Sequence, residues 1–219
     1  MPADPASVPE TVLVARHGET AWNVQGRMQG HTDVPLTERG RGQARALAQR
    51  LATAPPARIV SSDLSRALET ATLVAHACGL DVTIDARLRE QDLGAWSGKT
   101  FAEVTAIDPV VARRFREFDP DARPPGGETR RELFARVGEA FEAHAGAAAQ
   151  GPVLLVTHGG ALQTLVYRVL GIELSTPRRF LLPNVGLTTI VRRGDAWFVR
   201  TLGDVTHLEA PTGDRFPFE

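Results

Sequence analysis

The sequence predicts an α/β fold: a three-layer sandwich in which helices cover both faces of a mostly parallel central sheet. Three observations predict it. Short apolar runs alternate with helical stretches along most of the chain. Two of those runs, around residues 12–15 and 153–156, lead straight into a glycine-bearing corner that carries a histidine. A length of 219 residues, 42% hydrophobic and 23% charged, suits one sizeable core and shows no repeat of a solenoid kind.

The elements follow in order. Residues 1–10 hold prolines and acids but no basic stretch followed by an apolar one, which predicts a loosely held arm rather than a signal peptide, ahead of one domain over 11–219. Residues 11–15 form a buried strand running into Arg16-His17-Gly18, and residues 19–35 a polar loop. Thr37 is placed as the N-cap of a helix that continues through Leu47 and Leu51 until Pro55-Pro56. A strand at 58–60 precedes Ser61-Ser62-Asp63, a capping cluster for a helix over 64–78 that Gly79 ends. A short strand at 82–84 leads to a polar loop over 87–98. Helix is expected over 101–118 with a break at Pro109, and residues 100–125 as a whole read as an insertion covering the substrate. Leu133, Phe134, Val137 and Phe141 share one face of a helix over 128–149. A buried strand at 153–156 passes through Thr157-His158-Gly159-Gly160 into a helix ending near Leu170, and strands at 187–191 and 197–201 flank Arg193-Gly194-Asp195.

Composition excludes several classes. Twenty-five basic and 26 acidic residues leave a net charge of -1, so no global field recruits nucleic acid or an anionic membrane. No stretch reaches the roughly 18 uncharged apolar residues of a spanning helix, which predicts a cytoplasmic protein. One cysteine, Cys78, rules out an internal disulfide and sits in an apolar helical stretch as a small hydrophobe. Lys99 is the single lysine, so recognition of an anion falls to arginine forks.

Ligands of such sheets bind beyond the carboxyl ends of the strands. His17 and His158 both stand there. Arg16, at the end of an apolar strand, needs an anion or carboxylate to hold it, and Arg66 can bring a second guanidinium from the next helix. Two histidines and two arginines point to phosphoryl chemistry: arginines hold the equatorial oxygens while a neutral imidazole attacks phosphorus. Glu90 is the best acid for the leaving oxygen, with Asp92 as rival. A P-loop reading of residues 94–100 fails because only three residues separate its glycines. A metallohydrolase is the next rival, but His31, His76, His144 and His207 are scattered without ligand spacing, so no metal is expected. A silent binding module is a third reading, against which stands the intact set of His17, Arg66, Glu90 and His158.

Arg16-His17-Gly18-Glu19-Thr20 resembles the signature of the histidine phosphatase superfamily, the branch of cofactor-dependent phosphoglycerate mutases and small broad-specificity phosphatases. The similarity continues in order through Trp22-Asn23, Arg27-Met28-Gln29-Gly30, Ser61-Ser62-Asp63-Leu64-Ser65-Arg66-Ala67, Leu88-Arg89-Glu90, Pro125-Gly126-Gly127-Glu128 and Thr157-His158-Gly159-Gly160. It implies a phosphoglycerate mutase-like fold in which His17 becomes a phosphohistidine and Arg16, Arg66 and His158 form the phosphate pocket. It further implies that Thr20 and Asn23 serve the phosphoryl group, Gln29 lines the entrance, the Gly159 N–H adds an anion contact, and Glu90 serves first as acid and then as base.

Mutases of this family usually carry a tyrosine three residues after the acid and a lysine some eleven after it, where this chain has Leu93 and Phe101. Arg113-Arg114 could imitate their paired arginine or form a solvated face. The resemblance therefore favours hydrolysis of a small phosphomonoester without a cofactor, with a phosphoglycerate mutase primed by 2,3-bisphosphoglycerate as the alternative. A homodimer is compatible with the sequence.

Overall fold

The computed structural model describes residues 10–209. Six strands make one sheet in the order β3-β2-β4-β1-β5-β6: β1 (Thr11–Arg16), β2 (Arg58–Ser61), β3 (Val82–Ile84), β4 (Val153–Thr157), β5 (Leu187–Arg193) and β6 (Ala196–Asp204). The β1–β4, β2–β4 and β2–β3 pairs are parallel, while β1–β5 and β5–β6 are antiparallel. The parallel part is the expected one; the antiparallel β5–β6 pair comes from the tight Arg193-Gly194-Asp195 connection, with Gly194 at φ 60.

Side-chain alternation along the strands produces the layers. Val12, Val14, Val153 and Leu155 point into one core with α6 (Arg130–Ala145) and α7 (Gly159–Leu170). Ala15, Leu154 and Val156 point into the other, shared with α2 (Glu38–Ala52) and α3 (Ser65–Cys78). A smaller cluster lies away from the sheet, where Met28, Leu93 and Trp96 meet Val104, Ala112 and Phe115 of α4 (Phe101–Ile107) and α5 (Pro109–Arg116). Residues 100–125 are thus anchored to the loops that carry Met28, Leu93 and Trp96. Pro109 breaks this helical stretch as expected, by standing at the first position of α5 behind the Asp108 cap.

Local details depart from the sequence reading. A short helix, α1 (Ala21–Val24), lies inside the predicted loop, closed by a capping box between Thr20 and Asn23. Neither Ser61 nor Asp63 caps α3; the Ser65 N–H is taken by Asp33 Oδ1 at 2.8 Å, from a loop 32 residues away. His144, expected on a helix surface, is largely covered and meets Asp85 at 2.8 Å. The expected arm at 1–9 lies outside the described residues, while Glu10 joins Arg192 through both backbone and side chain.

One contact explains how α2 sits against the corner after β1. A Cβ on Gly40 would lie 2.1 Å from the Glu19 carbonyl oxygen, and one on Gly18 would lie 2.6 Å from that of Gly40. Gly40→Ala is expected to destabilise the fold by about 1–3 kcal/mol, lowering Tm by about 2–12 °C in a thermal melt. Gly42, on the same helix with open space around it, is the control: its alanine variant should gain roughly 0.5–1 kcal/mol.

Candidate active site

Register brings the two corner histidines together. Arg16 of β1 pairs with Thr157 of β4 in parallel, so the next residues, His17 and His158, leave the sheet side by side. Their ring centroids are 5.2 Å apart. His17 Nδ1 lies 2.7 Å from the Gly18 carbonyl oxygen. A carbonyl only accepts, so Nδ1 carries the hydrogen and Nε2 keeps the lone pair. The segment before β5 straps this corner down: Leu182 O accepts from Arg16 Nη1 at 2.7 Å, and Asn184 Nδ2 donates to His17 O at 2.8 Å. Val185 N donates to Arg16 O at 3.0 Å from a φ of 52, a left-handed conformation that a β-branched residue rarely adopts.

Arg66 is fully buried in the first turn of α3. Its Nη1 donates to Thr32 O at 2.9 Å, its Nη2 to Gly30 O at 2.8 Å and its Nε to His158 Nδ1 at 3.2 Å. As His158 Nδ1 accepts, Nε2 bears the hydrogen and donates to Ser62 Oγ at 2.9 Å. Both ring nitrogens of His158 are therefore engaged within the protein. A backbone carbonyl, that of Leu182, helps to hold Arg16.

Burial, reinforced by the guanidinium of Arg66, holds both His17 and His158 well below the usual imidazole range, and burial draws Arg66 down to about 10. Both rings are thus neutral in the folded protein and take up protons more readily when it unfolds. Their contribution to stability is complete above about pH 6.5, the ordinary imidazole value, and declines as pH falls. The slope should approach about 1.4 kcal/mol per pH unit for each histidine, read from denaturant midpoints between pH 7 and 5.

Glu90 approaches from the loop after β3. Its Oε2 accepts from Gly160 N at 2.9 Å and its Oε1 from Gln91 N at 2.8 Å. A Cβ on Gly160 would meet Oε1 at 2.4 Å, so the glycine at the start of α7 makes room for the carboxylate. Arg136 of α6 clamps the loop, donating to Arg87 O at 2.7 Å and to Arg89 O and Glu90 O at 3.1 Å while Glu128 pairs with it. Asp92 is turned away: its Oδ1 accepts from Gly94 N at 2.9 Å.

These groups surround a cleft of about 590 Å³. Arg16, His17, Asn23, Gln29, Arg66, Glu90 and Gly159 line it. Thr20 and His158 lie fully buried behind that wall. Asn23 Oδ1 accepts from Thr20 N at 3.0 Å and the single hydroxyl hydrogen of Thr20 goes to Gln29 Oε1 at 3.1 Å, which turns both amide oxygens inward and leaves the N–H₂ ends able to serve an anion. Arg113 and Arg114 are exposed on α5, Arg114 paired with Asp119 at 2.7 Å, and neither lines the cleft. Among the described residues there is no cluster of three or more metal-ligating groups, and no helix is long and apolar enough to cross a membrane.

Sequence reasoning missed Asn184 and Arg136 as supports and read Ser62 only as a cap. Arg136 looks like any helical arginine, and Asn184 has no local pattern to mark it; their meaning lies in the distant carbonyls they reach.

Comparison with known proteins places this geometry. The family model for the histidine phosphatase superfamily, branch 1, matches residues 12–205. A relative named probable phosphoglycerate mutase GpmB, from Salmonella paratyphi C (strain RKS4594), is 38% identical over 208 residues, covering 93% of this chain and 97% of its own. Among solved structures, a mycobacterial glucosyl-3-phosphoglycerate phosphatase in complex with VO3 superposes with a TM-score of 0.81 at 34% identity, over 88% of this chain and 98% of the other. Bacillus stearothermophilus YhfR gives a TM-score of 0.82 at 37% identity, over 90% and 98%. With its two corner histidines, its buried arginine and a family model spanning most of its length, the chain belongs to branch 1 of the histidine phosphatase superfamily.

Proposed function

We propose that this protein hydrolyses a small phosphomonoester through a phosphohistidine on His17. One observation carries the reading: the bond from Nδ1 to the Gly18 carbonyl leaves the Nε2 lone pair of a neutral ring in a cleft that Arg16 and Arg66 also line. Nε2 attacks phosphorus as the P–O bond to the leaving group breaks. Arg16, Arg66 and the N–H₂ ends of Asn23 and Gln29 neutralise the transferring phosphoryl oxygens, aided by the Gly159 N–H at the start of α7. Glu90 gives a proton to the leaving oxygen; as a carboxylate it then takes one from water, which attacks phosphorus, breaks the P–N bond and returns His17 to its neutral form. His158, with both nitrogens engaged, serves by holding Arg66 in the plane the phosphate needs.

A phosphatase carried by two histidines and two arginines works without a metal, so hydrolysis of p-nitrophenyl phosphate should survive chelation. Rapid quenching should trap an acid-labile, alkali-stable phosphoenzyme, and its absence during steady turnover sinks the proposal. The name of the Salmonella relative favours a second reading, interconversion of phosphoglycerates primed by 2,3-bisphosphoglycerate. Against it stand Leu93 and Phe101 at the positions noted above and the exposure of Arg113 and Arg114 away from the cleft. Isomerisation of 3-phosphoglycerate faster than its hydrolysis would reverse the preference. The cytoplasm is the location we assign to this activity, and a homodimer the assembly to test by light scattering.

A further inference from the structure

Arg130 is a second buried arginine in the same cleft, and the mechanism above leaves it unused. It opens α6, is only 7% exposed, and its guanidinium lies over two aromatic rings, 4.5 Å from the centre of Phe118 and 5.6 Å from that of Phe115. Its single hydrogen bond among the described residues is a long one, from Nη1 to Leu174 O at 3.3 Å. No carboxylate of the described residues pairs with it. Asp119, which acts on it from farther off, is occupied by Arg114 at 2.7 Å. Burial draws Arg130 down to about 10, as it does Arg66, so both remain cations at neutral pH.

The two arginines are thus alike in charge and burial, but Arg66 is held by three acceptors and Arg130 by one. A buried guanidinium keeps its remaining donors for something that enters from the cleft. The platform beneath it is held at some cost. Phe118 sits at φ 62, a left-handed position that glycine usually takes after a helix, and an aromatic there is explained by the ring it supplies under Arg130.

We infer that Arg130 reads a second anionic group on the substrate, a carboxylate at the end of the molecule remote from the phosphoryl group. This rests on the phosphatase reading and narrows it to phosphomonoesters that are also carboxylic acids. A carboxylate suits the planar fork, and its single charge is less costly to desolvate against Phe115 and Leu133 than a second phosphate would be. Arg113 and Arg114, exposed on the outer face of α5, take no part.

Matched substrates test it. 3-Phosphoglycerate and glycerol 3-phosphate differ by a carboxylate against a hydroxymethyl group, as do 6-phosphogluconate and sorbitol 6-phosphate at greater reach. The unmodified enzyme should favour the carboxylate member of at least one pair by about 10- to 100-fold in kcat/KM. In Arg130→Gln that ratio should collapse towards one through loss on the carboxylate member, and Arg130→Lys should keep part of it. Equal kcat/KM within both pairs overturns the inference while leaving the phosphatase reading intact; so does an equal loss on both members in Arg130→Gln. Hydrolysis of p-nitrophenyl phosphate with none of the four accepted also overturns the inference, and failure on p-nitrophenyl phosphate as well overturns the phosphatase reading itself.

Discussion

Replacing His17 with alanine is expected to lower turnover of p-nitrophenyl phosphate by about 10⁴-fold or more, the scale on which removing an enzyme's nucleophile acts. Arg16 and Arg66 would still bind the phosphoryl group in the variant, so KM should change far less than kcat, and no phosphoenzyme should be trapped. The substitution also removes a buried neutral imidazole that resists protonation in the folded protein. Stability should therefore fall less steeply between pH 7 and 5 than in the unmodified protein. The two readouts together separate a lost nucleophile from a misfolded one. Retention of more than about a tenth of the activity would rule out His17 as the phosphoryl acceptor.

Arg66→Lys is expected to lower kcat/KM by about 10²- to 10³-fold although the charge is kept, a loss of the size seen when a preorganised donor to a developing anion is removed. The reason is geometric. Three donors of one rigid plane reach Thr32 O, Gly30 O and His158 Nδ1, and a lysine ammonium cannot hold those directions and still face a phosphate. His158 would also lose the donor that sets its tautomer, loosening its bond to Ser62. Inhibition by vanadate and inorganic phosphate, measured beside turnover, should weaken in parallel. If Arg66→Lys stays within about threefold of the parent, positive charge alone suffices and the fork is dispensable.

Much of the site was legible because its signals are local. A strand shows as an apolar run, and a ligand-facing residue as a polar one at its carboxyl end; His17 and His158 were found that way, and Gly79 and Pro109 marked helix ends through their own backbone limits. The sequence places Glu90 ahead of Asp92, but the two are neighbouring loop carboxylates and the physical reason for that order is not local. The Gly160 N–H and the lack of a side chain at Gly160 separate them, and both lie 70 residues from Glu90.

By itself the sequence determined the layered α/β architecture, the strand ends that bear the histidines, and the family resemblance that named the chemistry. Only the tertiary structure decided which groups face the cleft and which stand behind it. Parallel pairing of Arg16 with Thr157 joins histidines that are 141 positions apart in number, and Arg136, Asn184 and Arg66 act by donating to carbonyls of distant loops. Backbone carbonyls are the same at every residue, so no pattern of side chains foretells which will be met. Arg130 is the sharpest case: on a helical wheel it is one more charged residue, and only the burial of its guanidinium over Phe118 and Phe115 turns it into a reader of substrate.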